Sequence, residues 1–176
     1  IKYLFSYLIF LIRWSFRVGK VGIKSYWISP LRIINPSLIK LGRNTIILNS
    51  ARIEIHRLND SSEGVVIKDG VNIGHNFFCS CAKYIEIGEG TLISDNVAII
   101  DNNHDHIRGK SSISTTLDAK SIIIGKNVTI YRNSTILSGI KIGEGSIVAA
   151  HSLVKEDVQP FTLVGGCPAK KINDIE

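Results

Sequence analysis

Aliphatic residues recur at every sixth position along the C-terminal half of the chain: Ile124, Ile130, Ile136, Ile142, Val148 and Val154 keep one unbroken phase. The same step links Ile67, Ile73 and Cys79, resumes at Ile87, Ile93 and Ile99 after a two-residue shift, and is suggested less regularly by Leu41, Ile47 and Ile53. Glycine follows the aliphatic residue at Gly42, Gly74, Gly88, Gly125 and Gly143. Two positions before it stands a second, often smaller side chain, as at Val71, Thr91, Val128, Ser134, Ser146 and Ser152. Residues two apart on a strand share a face, so each hexad offers one large and one smaller inward side chain. The Asn, Asp, Gly, Glu and Lys between them suit corners and left-handed backbone. Three strands and three corners make one coil, and stacked coils bury an aliphatic column that no single coil could bury.

A period of six excludes an amphipathic helix, and the absence of long helical patterns between the strands excludes a doubly wound α/β fold. The expected fold is all-β, a parallel β-helix of hexapeptide repeats over residues 31–164. The phase breaks after Ile99 and returns at Ile124, so residues 101–120 are expected to leave the coils as a long polar loop. Such loops on rigid scaffolds tend to carry function. Residues 165–176 are read as a C-terminal tail.

Charge changes the picture at the N-terminus. Residues 1–53 hold nine Lys or Arg and no Asp or Glu, which accounts for all of the net charge of +6. The run Tyr3–Ile12 is apolar, yet well short of the ~20 residues that a spanning helix needs. Basic residues follow it, not a small-residue cleavage site. Arg13, Arg17, Lys20 and Lys24 would form one stripe on a helix. Residues 1–30 are therefore read as a helical segment, with residues 1–28 either resting on an anionic membrane surface or covering the end of the core. Cys79, Cys81 and Cys167 make neither a disulfide framework nor a zinc-finger spacing. A reducing compartment is expected, with Cys79 and Cys81 sharing a buried wall.

Three features together resemble the hexapeptide-repeat acyltransferases: the hexads, the loop sequence Asp101-Asn102-Asn103-His104-Asp105-His106, and the segment Pro160–Lys170 with Gly165-Gly166-Cys167-Pro168-Ala169 at its centre. The likeness spans about residues 65–172 and is strongest to the sugar O-acetyltransferases that act on galactosides, maltose and colanic acid. The resemblance implies a left-handed β-helix, a homotrimer with its active site between subunits, and acetyl-CoA as co-substrate. It also implies a sugar acceptor, and the basic, apolar N-terminus points to surface polysaccharide assembly in the cytoplasm or at the inner face of the membrane. Neither a metal nor a nucleic-acid partner is expected.

A sugar hydroxyl attacks a thioester only when a base removes its proton, and histidine suits that work near neutral pH. His104 occupies the family's position for the base. Asp101 and Asp105 are the candidates to orient its ring, and His106 is the rival base. Ser80 and Asn103 are candidates for acceptor binding. Ala149, Ala150 and Gly165 leave room for a pantetheine arm, and Lys155, Lys170 and Lys171 are candidates for its phosphates. The chain departs from the family at Thr129-Ile130-Tyr131-Arg132, where many members have Trp-Ile-Gly, and at Ser80, where some have Asn.

Two other function classes compete. A γ-class carbonic anhydrase uses a β-helix to hold zinc through three histidines, for which His75, His104 and His106 would be candidates, although the spacing differs from that family's. A non-enzymatic binding role is the other, since fold does not imply function. Antibiotics, serine and amino sugars remain open as acceptors.

Overall fold

The computed structural model describes residues 8, 16–56, 64–104, 108–109 and 117–176. They wind into a left-handed parallel β-helix whose three sheets form the sides of a triangular prism. The first sheet stacks Lys20–Val21, Ile39–Leu41, Gly64–Ile67, Tyr84–Ile87, Ile122–Ile124 and Lys141–Ile142. The second begins at Tyr26–Trp27 and rises through Ile46–Ile47, Asn72–Ile73, Leu92–Ile93, Thr129–Ile130 and Ile147–Val148 to Thr162–Gly165. The third runs from Arg32–Ile34 through Arg52–Ile55, Phe78–Cys81, Ala98–Ile100 and Thr135–Ile136 to Leu153–Val154.

Strand register explains why the hexad residues are aliphatic. Leu41 lies beside Ile67, Ile67 beside Ile87, Ile87 beside Ile124, and Ile124 beside Ile142, all essentially shielded from solvent. Trp27, Ile47, Ile73, Ile93, Ile130, Val148 and Val164 form the matching column on the second sheet. Each such side chain contributes about 1.5–3 kcal/mol of burial free energy, which offsets the ordering of coils too short to fold alone. The smaller inward residues tie coil to coil: the hydroxyls of Thr45, Thr91 and Ser146 donate to the carbonyls of Lys68, Gly125 and Gln159 at 2.9, 3.0 and 2.7 Å.

The corner between the second and third sheets needs left-handed backbone in every coil. Ser50, Asn76, Asn96, Asn133 and His151 adopt it, with φ from 55° to 63°. Asparagine tolerates this region, and the column gains cross-coil bonds: Asn76 Nδ2 donates to Asn96 Oδ1 at 3.0 Å, and Asn133 Nδ2 lies 3.0 Å from His151 Nε2.

Two boundaries differ from expectation. The β-helix starts near residue 18, not 31, because Lys20–Val21, Tyr26–Trp27 and Arg32–Ile34 form a complete first coil. Lys20 and Lys24 therefore lie on a strand and a corner and cannot belong to a helical basic stripe; Arg13 and most of residues 1–15 lie outside the described residues. At the other end, Lys170–Asp174 is a strand that turns back antiparallel on Thr162–Gly165 and covers that edge of the second sheet.

The loop over 101–120 has an ordered root. Asn102–His104 pairs antiparallel with Leu117–Ala119, so a two-stranded ribbon leaves the corner between the third and first sheets. Residues 105–107 and 110–116 lie outside the described residues.

Candidate active site

The ribbon is anchored by Asp101. Its side chain is fully buried, and its carboxylate accepts the backbone N–H groups of Ala82, Lys83 and Tyr84 at 2.6, 2.8 and 3.0 Å. Asn102 Nδ2 also donates to Asp101 Oδ1, at 3.0 Å. A buried carboxylate is tolerated when donors saturate it in this way. Both oxygens are committed to these donors, so Asp101, one of the two candidates to orient His104, holds the ribbon's base. Asp105 and His106, the other candidates, lie outside the described residues.

His104 is exposed on the outgoing strand of the ribbon, opposite Leu117. Alternation along the strand turns His104 to the same side as Asn102 and Asn103 to the other. Ser80, nearly buried on the third sheet, accepts a hydrogen bond from Asn102 Nδ2 at 3.0 Å. Ser80 and Asn103 are thus not brought together. Asn102 is the residue beside Ser80, and its side chain joins Ser80 to the Asp101 anchor; the bare sequence gives no signal that separates it from Asn103.

The cofactor candidates gather at the top of the prism. Gly165 stacks on Ala149, where a Cβ on Gly165 would come within 3.0 Å of the alanine Cβ and 2.8 Å of Ile172 Cδ1. Ser152 Oγ donates to the Ala149 carbonyl at 2.6 Å and accepts the Gly166 N–H at 3.2 Å, which fixes the approach of the last strand. Ala150 is exposed at the neighbouring corner. Lys155 and Lys170 share Glu156, at 3.6 and 3.4 Å, while Lys171 pairs with Asp174 at 2.6 Å. Lys170 and Lys171 also line a cleft of about 180 Å³ with Val164 and Ala169. These ion pairs are exposed, and such pairs hold a lysine by well under about 1 kcal/mol. The three ammonium groups are therefore available to exchange carboxylates for phosphates.

Sequence reasoning missed an open groove of about 690 Å³ on the outside of the second sheet, lined among others by Tyr26, Ile46, Leu48, Leu92, Tyr131 and Arg132. The outward column there reads Tyr26, Ile46, Asn72, Leu92, Thr129, Ile147 and Leu163, without a charge. On the first sheet the same column holds Lys20, Lys40, Glu86 and Lys141. The signal was present in sequence as the residue before each second-sheet hexad residue, once the three sheets are told apart.

His75 sits at the corner between the second and third sheets, away from the ribbon's corner, and its backbone N–H donates to Asp95 Oδ1 at 2.7 Å. Among the described residues no three His, Cys, Asp or Glu side chains are grouped to hold a metal. Cys79 and Cys81 are buried, and burial together with the negative charge of Asp101 pushes both thiols far above their usual range.

Residues 121–156 match the profile of the bacterial transferase hexapeptide, six repeats. Over those residues the chain is similar to the hexapeptide-repeat transferases. It is 31% identical over 125 residues to WbbJ of Escherichia coli K12, a protein named for O-acetyl transfer in lipopolysaccharide biosynthesis. That match covers 66% of this chain and 64% of WbbJ, so the chain spans just under two thirds of that relative's length. A hexapeptide-repeat acetyltransferase from Vibrio cholerae, solved with acetyl-coenzyme A, superposes with a TM-score of 0.62 at 26% identity, over 93% of this chain and 74% of that one. The N-acyltransferase AntD from Bacillus cereus, solved with dTDP and 3-hydroxybutyryl-CoA, gives a TM-score of 0.79 at 22% identity over 92% of this chain and 86% of that one, a likeness of fold.

Proposed function

We propose that this chain is an acetyl-CoA-dependent O-acetyltransferase of the cytoplasm, working as a homotrimer on a sugar hydroxyl in surface polysaccharide assembly, with His104 as general base. The observation that carries the reading is the ribbon. A coil array with an aliphatic core and a clamped excursion presents the exposed imidazole of His104 beside a rigid wall. The likeness to WbbJ and to the acetyl-CoA-bound Vibrio protein supports the donor and the class of acceptor.

In this reading the neutral imidazole of His104 takes the proton of the acceptor hydroxyl as its oxygen attacks the thioester carbonyl. The tetrahedral oxyanion collapses, the C–S bond breaks, and the coenzyme A thiolate leaves, taking up the proton that the imidazolium returns. The acetyl ester and free thiol balance the reaction. Lys155, Lys170 and Lys171 supply the charge that the donor's phosphates need, and the small side chains of Ala149 and Ala150 give its thin arm a path.

The trimer supports this chemistry through geometry. The ribbon leaves the corner opposite the second sheet, whose outward column from Tyr26 to Leu163 carries no charge. A contact from the ribbon side of one subunit to the second sheet of the next is heterologous, and a ring of three closes it. His104 then meets a partner's wall and a cleft forms between subunits.

The test is transfer of radiolabelled acetyl from acetyl-CoA to a panel of mono- and oligosaccharides, with serine, chloramphenicol and amino sugars as controls. Ester formation on a saccharide hydroxyl is expected. Transfer only to an amine or to serine would reassign the acceptor, and no acetyl-CoA turnover with any acceptor would overturn the reading.

A further inference from the structure

The two ends of the prism differ in chemistry. At the C-terminal end, exposed Phe161 and Ile172 lie among charges of both signs: Lys170 and Lys171 with Glu156, Asp157 and Asp174. At the N-terminal end the first coil carries Arg17, Lys20, Lys24 and Arg32, and no acidic residue. It also holds three of the most exposed large apolar side chains among the described residues: Phe16 at 93%, Ile23 at 71% and Leu31 at 67%.

Comparison within the repeat makes these residues informative. Ile23 stands in the corner column that carries Arg43, Asp69, Glu89, Lys126 and Glu144 in the coils above, as the backbone bonds from Asn44 to Ile23 and from Gly70 to Arg43 fix. The column is charged at the five levels from Arg43 to Glu144, and Ile23 stands below them. Leu31 occupies the level of Ala51, Phe77 and Val97, each fully buried. At the lowest of the described coils the same position is 67% exposed. An apolar rim inside a purely basic ring matches an anionic lipid surface, where the side chains enter the acyl boundary and the cations meet phosphates. It does not match the same end of a second copy, because two basic rings repel.

We propose that the N-terminal end of the prism docks end-on on an anionic bilayer, with Phe16, Ile23 and Leu31 inserted and Arg17, Lys20, Lys24 and Arg32 against the headgroups. Arg32 also reaches the half-buried Glu54 at 3.5 Å through Nε, and its own exposed guanidinium keeps its remaining donors for phosphate. The docked prism stands upright. The third-sheet strand that leads to His104 is three coils above the first, which at one strand spacing per coil is about 14 Å above the membrane. Resting on the acyltransfer reading, this height selects the acceptor: a saccharide on a lipid carrier, with its sugar held one or two residues beyond the headgroups.

The experiment uses the full chain. Vesicles of phosphatidylcholine with 30% phosphatidylglycerol should sediment the protein, and pure phosphatidylcholine vesicles should bind it at least tenfold more weakly. Lys20→Gln with Lys24→Gln should lower binding about fivefold per charge, the equivalent of ~1 kcal/mol each. Ile23→Ser with Leu31→Ser should lower it further while leaving transfer to a soluble saccharide intact. Orientation is read with an environment-sensitive dye, placed on native Cys167 or, in a Cys167→Ser background, on Ile23→Cys. On vesicles the dye at 23 should shift to the blue and the dye at 167 should not. Equal shifts at both sites would mean a prism lying flat, and unchanged binding of the base variants would mean that this end is not the docking face; either overturns the proposal. Base variants that change only the mass in light scattering would assign the end to a second copy and overturn it too. Vesicle binding without any acetyl transfer would leave the docking face standing and sink the enzymatic reading instead.

Discussion

The backbone N–H of Lys120 donates to the carbonyl of Asp101 at 2.9 Å, so the last residue of the excursion is tied to the first. Ser138 Oγ donates to the same carbonyl at 2.7 Å and accepts the Lys120 N–H at 3.2 Å. The carboxylate of Asp101 meanwhile holds the turn at Ala82–Tyr84. One residue thus clamps both ends of the ribbon to the coil below.

Removing that carboxylate strands three backbone N–H groups at a buried site, and each costs about 1–3 kcal/mol when unsatisfied. Asp101→Ala is expected to lower unfolding free energy by roughly 3 kcal/mol or more on this account, measured by urea denaturation. Asp101→Asn keeps one acceptor and should lose less. If Asp101 oriented His104 instead, Asn would damage turnover with little loss of stability, so a stable but inactive Asp101→Asn enzyme would contradict the clamp.

The thiols provide a second check. Cys79 and Cys81 are buried and their pKa values are raised by desolvation, so neither forms the reactive thiolate at neutral pH, whereas Cys167 is exposed. Ellman's reagent should titrate one thiol in the native protein and three after denaturation. Fast reaction of two or more native thiols would mean that the wall around Cys79 opens.

Much of the fold was legible because a period of six leaves few alternatives once the aliphatic phase is long. The first coil was not, although Val21, Trp27 and Ile33 keep the same step and Gly22 follows Val21 as Gly42 follows Leu41. The apolar run over residues 3–12 and the helical spacing of Arg13, Arg17, Lys20 and Lys24 pointed to an amphipathic helix instead. The clamp at Asp101 was hidden for a different reason: its partners are backbone N–H groups, which every sequence has. Asn102 beside Ser80 depended on a strand alternation that begins only where the ribbon leaves the coil. The uncharged outer face of the second sheet was readable in principle but required knowing which hexads share a side.

That face carries the third prediction. Leu92 and Tyr131 are each 46% exposed in one chain and line the groove. Burying a leucine contributes about 1.5–3 kcal/mol, and a ring of three repeats the contact three times. Light scattering at micromolar concentration should give a trimer for the native chain and a smaller species for Leu92→Asp, with the circular dichroism unchanged because the side chain points out of the core. A native monomer with full activity would remove the trimer from the mechanism.

The lysines at the top of the prism test the donor site. Exposed charge–phosphate contacts are weak and screened by salt. Lys155→Ala, Lys170→Ala and Lys171→Ala should each raise the KM for acetyl-CoA by about two- to fivefold at low ionic strength, the equivalent of ~0.4–1 kcal/mol, with kcat nearly unchanged. The effect should shrink at high salt. Loss confined to kcat would move these residues away from the phosphates.

The base itself is tested by separating chemistry from binding. His104 leads out from the clamp and is exposed, so its replacement removes no buried contact. Loss of a general base costs about 10²–10⁴ in turnover. His104→Ala should therefore fold normally, bind acetyl-CoA as the native chain does in calorimetry, and transfer acetyl at least a hundredfold more slowly. His106→Ala should keep most of its activity. The reverse pattern would move the base to His106, two residues further along the excursion. Near-normal transfer by both variants would mean that the acceptor hydroxyl loses its proton to another group. Because His104 and Asn102 share one side of the ribbon, Asn102→Ala distinguishes positioning from catalysis: it should raise the acceptor KM and slow turnover only modestly, where His104→Ala lowers kcat at least a hundredfold.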